Sequence, residues 1–261
     1  MQKKVKMTMR KSKVINRPTK SKIVSLETIL NRIYNTHDLR TTCSRGLTCC
    51  KTAMPGMYFS EFTSLDEQIR KTASKKQKLD MILKSVGYFF HNEFEKFGMD
   101  TLVKPCMLLS EDGNCKYYNQ RPLNCRMYGL WPKEVYNRRV DKFEKAYEGL
   151  LKREELPLNT QCPNVKRVDD SKPLTEEIIE EIYAQLDALD AKTGNFTKSQ
   201  IENKSNYRTF HDWLLFKVFG EEWLVNLTSF MKAASFLTIN AQVDVLKQVI
   251  TEKFSKDIPN W

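Results

Sequence analysis

Apolar residues recur at helical spacing through most of the chain. After Ser25, a residue suited to cap a helix, Leu26, Ile29, Leu30, Ile33 and Tyr34 fall on one stripe. Residues 64 to 97 are expected to be mostly helical. Leu65 and Ile69 open that stretch, Leu79, Ile82, Leu83, Val86, Phe89 and Phe90 continue it, and Gly98 is placed to end it. Pro132 suits a first helical turn, and Val135, Val140, Phe143, Tyr147, Leu150 and Leu151 then predict an amphipathic helix to about residue 154. Another helix is expected over 175–190, with Ile178, Ile182, Leu186 and Leu189 on one side. Glu176 and Glu177 stand near its positive dipole end. Three more are expected over 206–219, 221–235 and 239–255, with Gly220 between the first two. Trp213, Phe216, Phe219, Trp223, Leu227 and Phe230 would pack them together. Residues 57–59 read as a short strand.

The stretches without this period carry other signals. Residues 1–24 lack an apolar stripe and are broken at Pro18, so they read as a flexible arm. The loops around 43–59, 106–131 and 160–165 hold glycine, asparagine and proline. The polar run AKTGNFTKSQIENK, residues 191–204, reads as a linker. The expected fold is therefore mainly α. A helical domain over 25–190 surrounds an irregular cysteine-rich centre, and a C-terminal helical subdomain follows over 205–261. At 261 residues the chain can bury a sizeable core without disulfide staples.

Charge changes the picture only at one end. Of the formal net charge of +11, nine positive charges and no acid fall in residues 1–22, leaving +2 for the other 239 residues. A basic surface over a whole domain would mark a general nucleic-acid binder, and it is missing here. The basic property belongs to an arm, which could meet nucleic acid, an acidic protein surface or a larger assembly. A solvated tail is the plain alternative. The opening MQKKVKM has no apolar stretch after it, so a secretory signal is not expected. The serine-rich, amphipathic character of a mitochondrial presequence is weak. No apolar run approaches the roughly 18 residues of a membrane span. A reducing intracellular compartment such as the cytoplasm is the expectation.

The chemistry lies in seven cysteines: Cys43, Cys49, Cys50, Cys106, Cys115, Cys125 and Cys162. Grouped thiols in a reducing compartment point to metal or redox chemistry before disulfides. Structural zinc takes four thiolate or imidazole ligands, and iron–sulfur clusters are held mainly by cysteine. Seven thiols can fill one such site, or two that share ligands. The spacings match neither the paired Cys-x-x-Cys turns of zinc ribbons nor a bacterial ferredoxin run, so spacing alone leaves the metal open. Among the three histidines, His37 is nearest a cysteine group, while His91 and His211 sit in aromatic helical surroundings and read as packing residues. The Asn-x-Thr triplets at Asn195 and Asn226 read as chance matches in an intracellular protein.

The stretch PCMLLSEDGNCKYYNQRPLNCRMYGLWP resembles the signature of the YkgJ-type cysteine-cluster family of zinc- or iron-chelating domains. Cys106, Asp112, Gly113, Cys115, Tyr118, Arg121, Pro122, Cys125 and Arg126 fall on its Asp-Gly-x-Cys and Arg-Pro-x-x-Cys-Arg pattern. The upstream CSRGLTCC keeps the spacing of Cys43, Cys49 and Cys50, with Gly46 where the family often has a cysteine. Met107 stands where a proline is usual, and Cys162-Pro163 resembles the late Cys-Pro. Over about residues 40–165 the resemblance implies a centre of zinc or an iron–sulfur cluster. Cys43, Cys50, Cys106 and Cys125 are the leading ligands, and Cys49, Cys115 and Cys162 complete or flank it. Gly113 would permit the turn between Cys106 and Cys115, and Pro122 would fix the chain before Cys125. Arg121 and Arg126 would offset the negative charge of the thiolates.

Two functions follow as expectations. One is a non-catalytic metal-stabilised module whose basic arm meets an anionic partner. The other is an iron–sulfur redox or protein-modifying enzyme, since the resembling family includes proteins related to flagellin lysine methylation. No phosphate-binding glycine loop, nucleophile elbow or H-E-x-x-H motif is present. Tyr117, Tyr118 and Tyr128 beside the cysteines would then be aromatic surroundings rather than redox participants.

Overall fold

Two short strands hold distant parts of the chain together in this computed structural model. It describes residues 20–39, 50–51, 54–95, 105–146, 165–168, 174–220, 222–234 and 237–254. Strand β1, Gly56–Tyr58, runs straight into helix α2, Phe59–Thr72. Strand β2, Tyr207–Thr209, runs straight into α8, Phe210–Phe219. The strands pair antiparallel, with Gly56 opposite Thr209 and Tyr58 opposite Tyr207. A Cβ at position 56 would stand 2.6–2.8 Å from the Tyr207 phenol, so any larger residue there must displace that ring.

The other elements are helical. In chain order they are α1 (Lys20–Thr36), α3 (Lys75–Glu95), α4 (Leu123–Met127), α5 (Lys133–Ala146), α6 (Glu176–Thr193), α7 (Lys198–Glu202), α9 (Trp223–Ala233) and α10 (Ile239–Phe254), with a 3-10 turn at Tyr118–Gln120. The mainly helical class expected from periodicity is observed. One core gathers α2, α3, α8 and α10 around Ile69, Ile82, Phe90, Phe210, Trp213 and Phe254. Cys106, Met107 and Leu108 pack into the same core. A second core joins α1, α4 and α6 through Leu30, Ile33, Tyr34, Leu123, Met127 and Ile182. Tyr58 belongs to the second core and Met57 to the first, so β1 separates the two.

Several boundaries differ from the sequence expectation. Helix α1 begins at Lys20, so Ser25, the expected cap, lies inside it and the expected arm 1–24 overlaps its first turn. The expected loop over 106–131 contains α4. The helical stretch over 64–97 is two helices broken at residues 73–74. Ser74 and Gln77 form a reciprocal capping box there, with Ser74 N donating to Gln77 Oε1 at 2.8 Å and Gln77 N donating to Ser74 Oγ at 3.3 Å. Within the expected linker, Thr197 and Gln200 make the same box and start α7. The helix expected from 206 begins at Phe210, because residues 207–209 are taken up by β2. Residues 147–154 and the arm as far as residue 19 lie outside the described residues.

Helix α2 takes its N-terminal cap from another element. The buried Asp190 carboxylate, near the end of α6, accepts from Ser60 N at 2.7 Å and Phe59 N at 3.0 Å. Asn206 Nδ2 donates to the same carboxylate at 3.0 Å. The Ser60 amide at the open end of α2 is thereby satisfied, and Phe59 N also donates to Asn206 O at 2.9 Å. Burial pushes the Asp190 carboxyl up to about 7, outweighing these hydrogen bonds. The folded chain therefore holds a proton that the unfolded chain releases at a lower pH. Stability tied to that proton is complete below about pH 4 and declines as pH rises to about 7. The stability difference between the wild type and Asp190→Asn, from urea denaturation at several pH values, should shift by about 1 kcal/mol per pH unit in this window. A pH-independent difference would remove Asp190 from the account.

Candidate metal centre

The centre begins with a tight turn. Asp112 carries it: its carboxylate accepts from the Ser110 hydroxyl, from Asn114 N at 3.1 Å and from Asn114 Nδ2 at 2.7 Å. These bonds pull the carboxyl down to about 2. Gly113 adopts φ 78°, a left-handed conformation that favours glycine. The turn sets Leu109 against Cys115 in an antiparallel bridge, and Lys116 N donates to Leu108 O at 3.1 Å. The turn at Gly113 returns the chain so that Cys115 lies opposite Leu109, three residues after Cys106.

Cys106 is buried at the edge of the first core, 8% exposed. Its amide donates to Cys50 O at 2.6 Å, which joins the upstream and downstream cysteine groups. Its Sγ lies 3.7 Å from Met54 Sδ. Next to it, the Ser85 hydroxyl donates to Met107 Sδ at 3.5 Å, and the Tyr88 hydroxyl donates to Pro105 O. Burial, with the nearby Cys106 charge, pushes the Tyr88 phenol up to about 12.

Cys125 stands half-buried on α4, the short helix that Pro122 leads into. That helix is anchored by Glu61, a residue the sequence did not mark. Glu61 is 3% exposed at the third position of α2. It accepts from Leu123 N at 2.5 Å, from Tyr58 N at 2.9 Å and from the Tyr34 hydroxyl. Burial raises its pKa, and these three bonds and Arg126 work against the rise. Burial likewise raises Tyr34, so its hydroxyl stays a donor.

The two arginines of the Arg-Pro-x-x-Cys-Arg stretch are held in place. Arg126 lies over the Tyr34 ring, 4.4 Å from its centroid, and donates to Arg121 O at 2.8 Å and Asn119 O at 2.7 Å. Burial lowers its pKa, opposed by Tyr34, Glu61 and Cys125. Arg121 stacks on Tyr118 at 3.5 Å and donates to Tyr118 O at 2.9 Å. Arg121 and Arg126, with Tyr34, Glu61, Asn119 and Gln120, line a small, solvent-open cleft.

Cys50, Cys106, Cys115 and Cys125 are the cysteines among the described residues, and sulfur donors of this kind suit zinc or iron. Among the described residues no three His, Cys, Asp or Glu side chains gather into a metal-binding group. Cys43, Cys49 and Cys162, three of the expected ligands, lie outside the described residues. His37 stands beside Glu181, with Nε2 3.9 Å from its carboxylate. His211 is buried against Tyr88 and Thr209, as a packing residue would be. The side chain of His91 lies outside the described residues.

Residues 42–166 match the family model CxxCxxCC, described as a "Putative zinc- or iron-chelating domain". The match spans all seven cysteines and ties this segment to metal binding. No curated protein and no solved structure matches the chain. No helix among the described residues is long and apolar enough to cross a membrane.

Proposed function

Because residues 42–166 belong to the zinc- or iron-chelating CxxCxxCC family, we propose that this chain is a metal-stabilised interaction module. Its cysteines hold one zinc ion or an iron–sulfur cluster, which fastens the cysteine-bearing loops to the helical framework. The observation that carries the reading is the hydrogen bond from Cys106 N to Cys50 O, which brings the two cysteine groups into contact. Cys43, Cys50, Cys106 and Cys125 would be the leading thiolates, with Cys49, Cys115 and Cys162 completing or flanking the site. Bound metal would supply crosslinking between loops, coupling its binding free energy to folding. A structural rather than catalytic role is supported by the surroundings. Glu61, Arg121 and Arg126 spend their hydrogen bonds on backbone amides, backbone carbonyls and a tyrosine.

The test is elemental analysis and ultraviolet–visible spectroscopy of untagged protein purified anaerobically. A brown protein with a thiolate-to-iron charge-transfer band identifies iron–sulfur, and a colourless protein with stoichiometric zinc identifies a structural zinc site. Protein free of both metals under reducing conditions would overturn the reading.

The nine positive charges of residues 1–22 are proposed to contact an anionic partner, nucleic acid or an acidic protein surface. Deleting the arm should leave metal content unchanged and weaken binding to a polyanion. Binding to nucleic acid should also fall steeply with salt. Equal binding by full-length and truncated protein would reduce the arm to a solvated tail.

A further inference from the structure

Two cysteines, one from each group, share a backbone bond: Cys106 N donates to Cys50 O at 2.6 Å. Adding the covalent spans on either side, Cα to O at residue 50 and N to Cα at residue 106, puts the two Cα atoms at most about 6.5 Å apart. Disulfides bridge Cα separations of roughly 4.4–6.8 Å. The Cys106 side chain faces the same upstream segment, with Sγ 3.7 Å from the sulfur of Met54, four residues beyond Cys50. Cys50 in turn packs against the first core, in which Cys106 is buried. The other thiols of the described residues are placed differently. Cys115 lies opposite Leu109, and Cys125 stands on α4, which packs into the second core.

Burial divides the pair. Cys106 is 8% exposed and Cys50 is half-buried, so an oxidant arriving from solvent meets Cys50 first. Both are leading ligands in the reading above. Joining their sulfurs therefore removes two donors from the metal at once. A disulfide of this kind in a reducing compartment is transient and redox-sensing rather than structural.

We propose that Cys50 and Cys106 form a reversible disulfide when the protein meets peroxide, and that its closure expels the metal. The proposal rests on the metal-binding reading and deepens it by naming how the same site is regulated. The Cys50 thiolate attacks one peroxide oxygen, the O–O bond breaks, and hydroxide leaves with Cys50 as a sulfenic acid. The Cys106 thiol attacks that sulfur, the S–O bond breaks, and water leaves. Hydroxide takes up the proton that Cys50 released. The two sulfurs lose two electrons, and peroxide gains them as two waters. A dithiol reductant reopens the bond by thiol–disulfide exchange.

The experiment exposes full-length protein, zinc-loaded or stripped with a chelator, to hydrogen peroxide. Crosslinked peptides are mapped by mass spectrometry without reduction, and zinc release is followed with a chromogenic chelator. A link between the peptide carrying Cys50 and the peptide carrying Cys106 is expected in both forms, and dithiothreitol should reverse it. It should form more slowly in the zinc-loaded form, with zinc freed in step. Cys49 and Cys50 are adjacent and share a peptide, so substitutions assign the partner: Cys49→Ser should keep the link and Cys50→Ser should abolish it. The wild-type map needs no substitution, so it stands even where a variant fails to fold. Zinc-binding wild type that oxidises without a Cys106 crosslink, or a Cys106 link that survives Cys50→Ser, overturns the proposal and leaves chelation standing. Protein that binds neither zinc nor iron overturns metal release together with the chelation reading, whichever link forms.

Discussion

Glu61→Ala is expected to destabilise the folded chain by roughly 3–5 kcal/mol, a penalty typical of removing one partner from a buried charged network. The substitution does not simply delete three hydrogen bonds. It leaves the Tyr58 and Leu123 amides and the Tyr34 hydroxyl without their acceptor, in a place that is 3% exposed. Each buried donor left unpaired costs about 1–3 kcal/mol. Arg126, half-buried over Tyr34, also loses the nearby carboxylate. The loss should be uneven along the chain. Leu123 opens α4, which carries Cys125, so hydrogen exchange over 121–127 should accelerate before exchange in α3 and α8 does. Urea denaturation at neutral pH, read with residue-resolved exchange, checks both parts. A change below 1 kcal/mol would mean that water replaces the carboxylate freely. Glu61→Gln should be milder, because one acceptor oxygen survives, yet its amide would face a backbone N–H that needs an acceptor.

Glu61 also marks the limit of what the sequence made legible. A glutamate near the start of an amphipathic helix ordinarily faces water. Its burial here depends on Tyr34, 27 residues earlier, and on Leu123, 62 residues later. Asp190 is hidden for the same reason, since the amide of Ser60 that it caps is 130 residues away. Periodicity sees one element at a time, so it recovered the apolar faces of α1, α3 and α6 and missed the polar groups that join them. Strand β1 was visible in the residues around Met57. Its partner β2 was read as the start of a helix, because three residues are too few to establish an alternation. The capping boxes at Ser74 and Thr197 were present in the sequence as Ser-x-x-Gln and Thr-x-x-Gln. They passed unnoticed because one lies inside a continuous apolar period and the other in a run that is polar throughout. For the centre, the cysteines and the Asp-Gly turn were legible by type and spacing.

The second large effect expected is the removal of metal, and Cys106→Ser is the variant that isolates it. A ligand that binds only the folded chain stabilises it in proportion to the logarithm of its concentration over Kd. The gain is about 4 kcal/mol when free metal stands a thousandfold above Kd. Chelation of the wild-type protein should therefore lower its unfolding temperature markedly. Cys106 is placed to mediate that gain, because its backbone is bonded to Cys50 and its flanking residues Met107 and Leu108 are packed into the first core. A metal held there ties the cysteine loops to α3 and α8 rather than to each other alone. Serine is close to cysteine in size but is a poor ligand for a thiophilic ion, so the variant should lose most of the metal-dependent stabilisation. Its metal-free form should stay near the metal-free wild type, lowered only by the burial of a hydroxyl beside Met54. Thermal denaturation of both proteins, with and without a chelator under reducing conditions, gives four values. The expected pattern is one high value, for metal-loaded wild type, and three lower ones close together. A chelator shift of equal size in the variant would show that the metal is held without Cys106, and would move the centre to the other thiols.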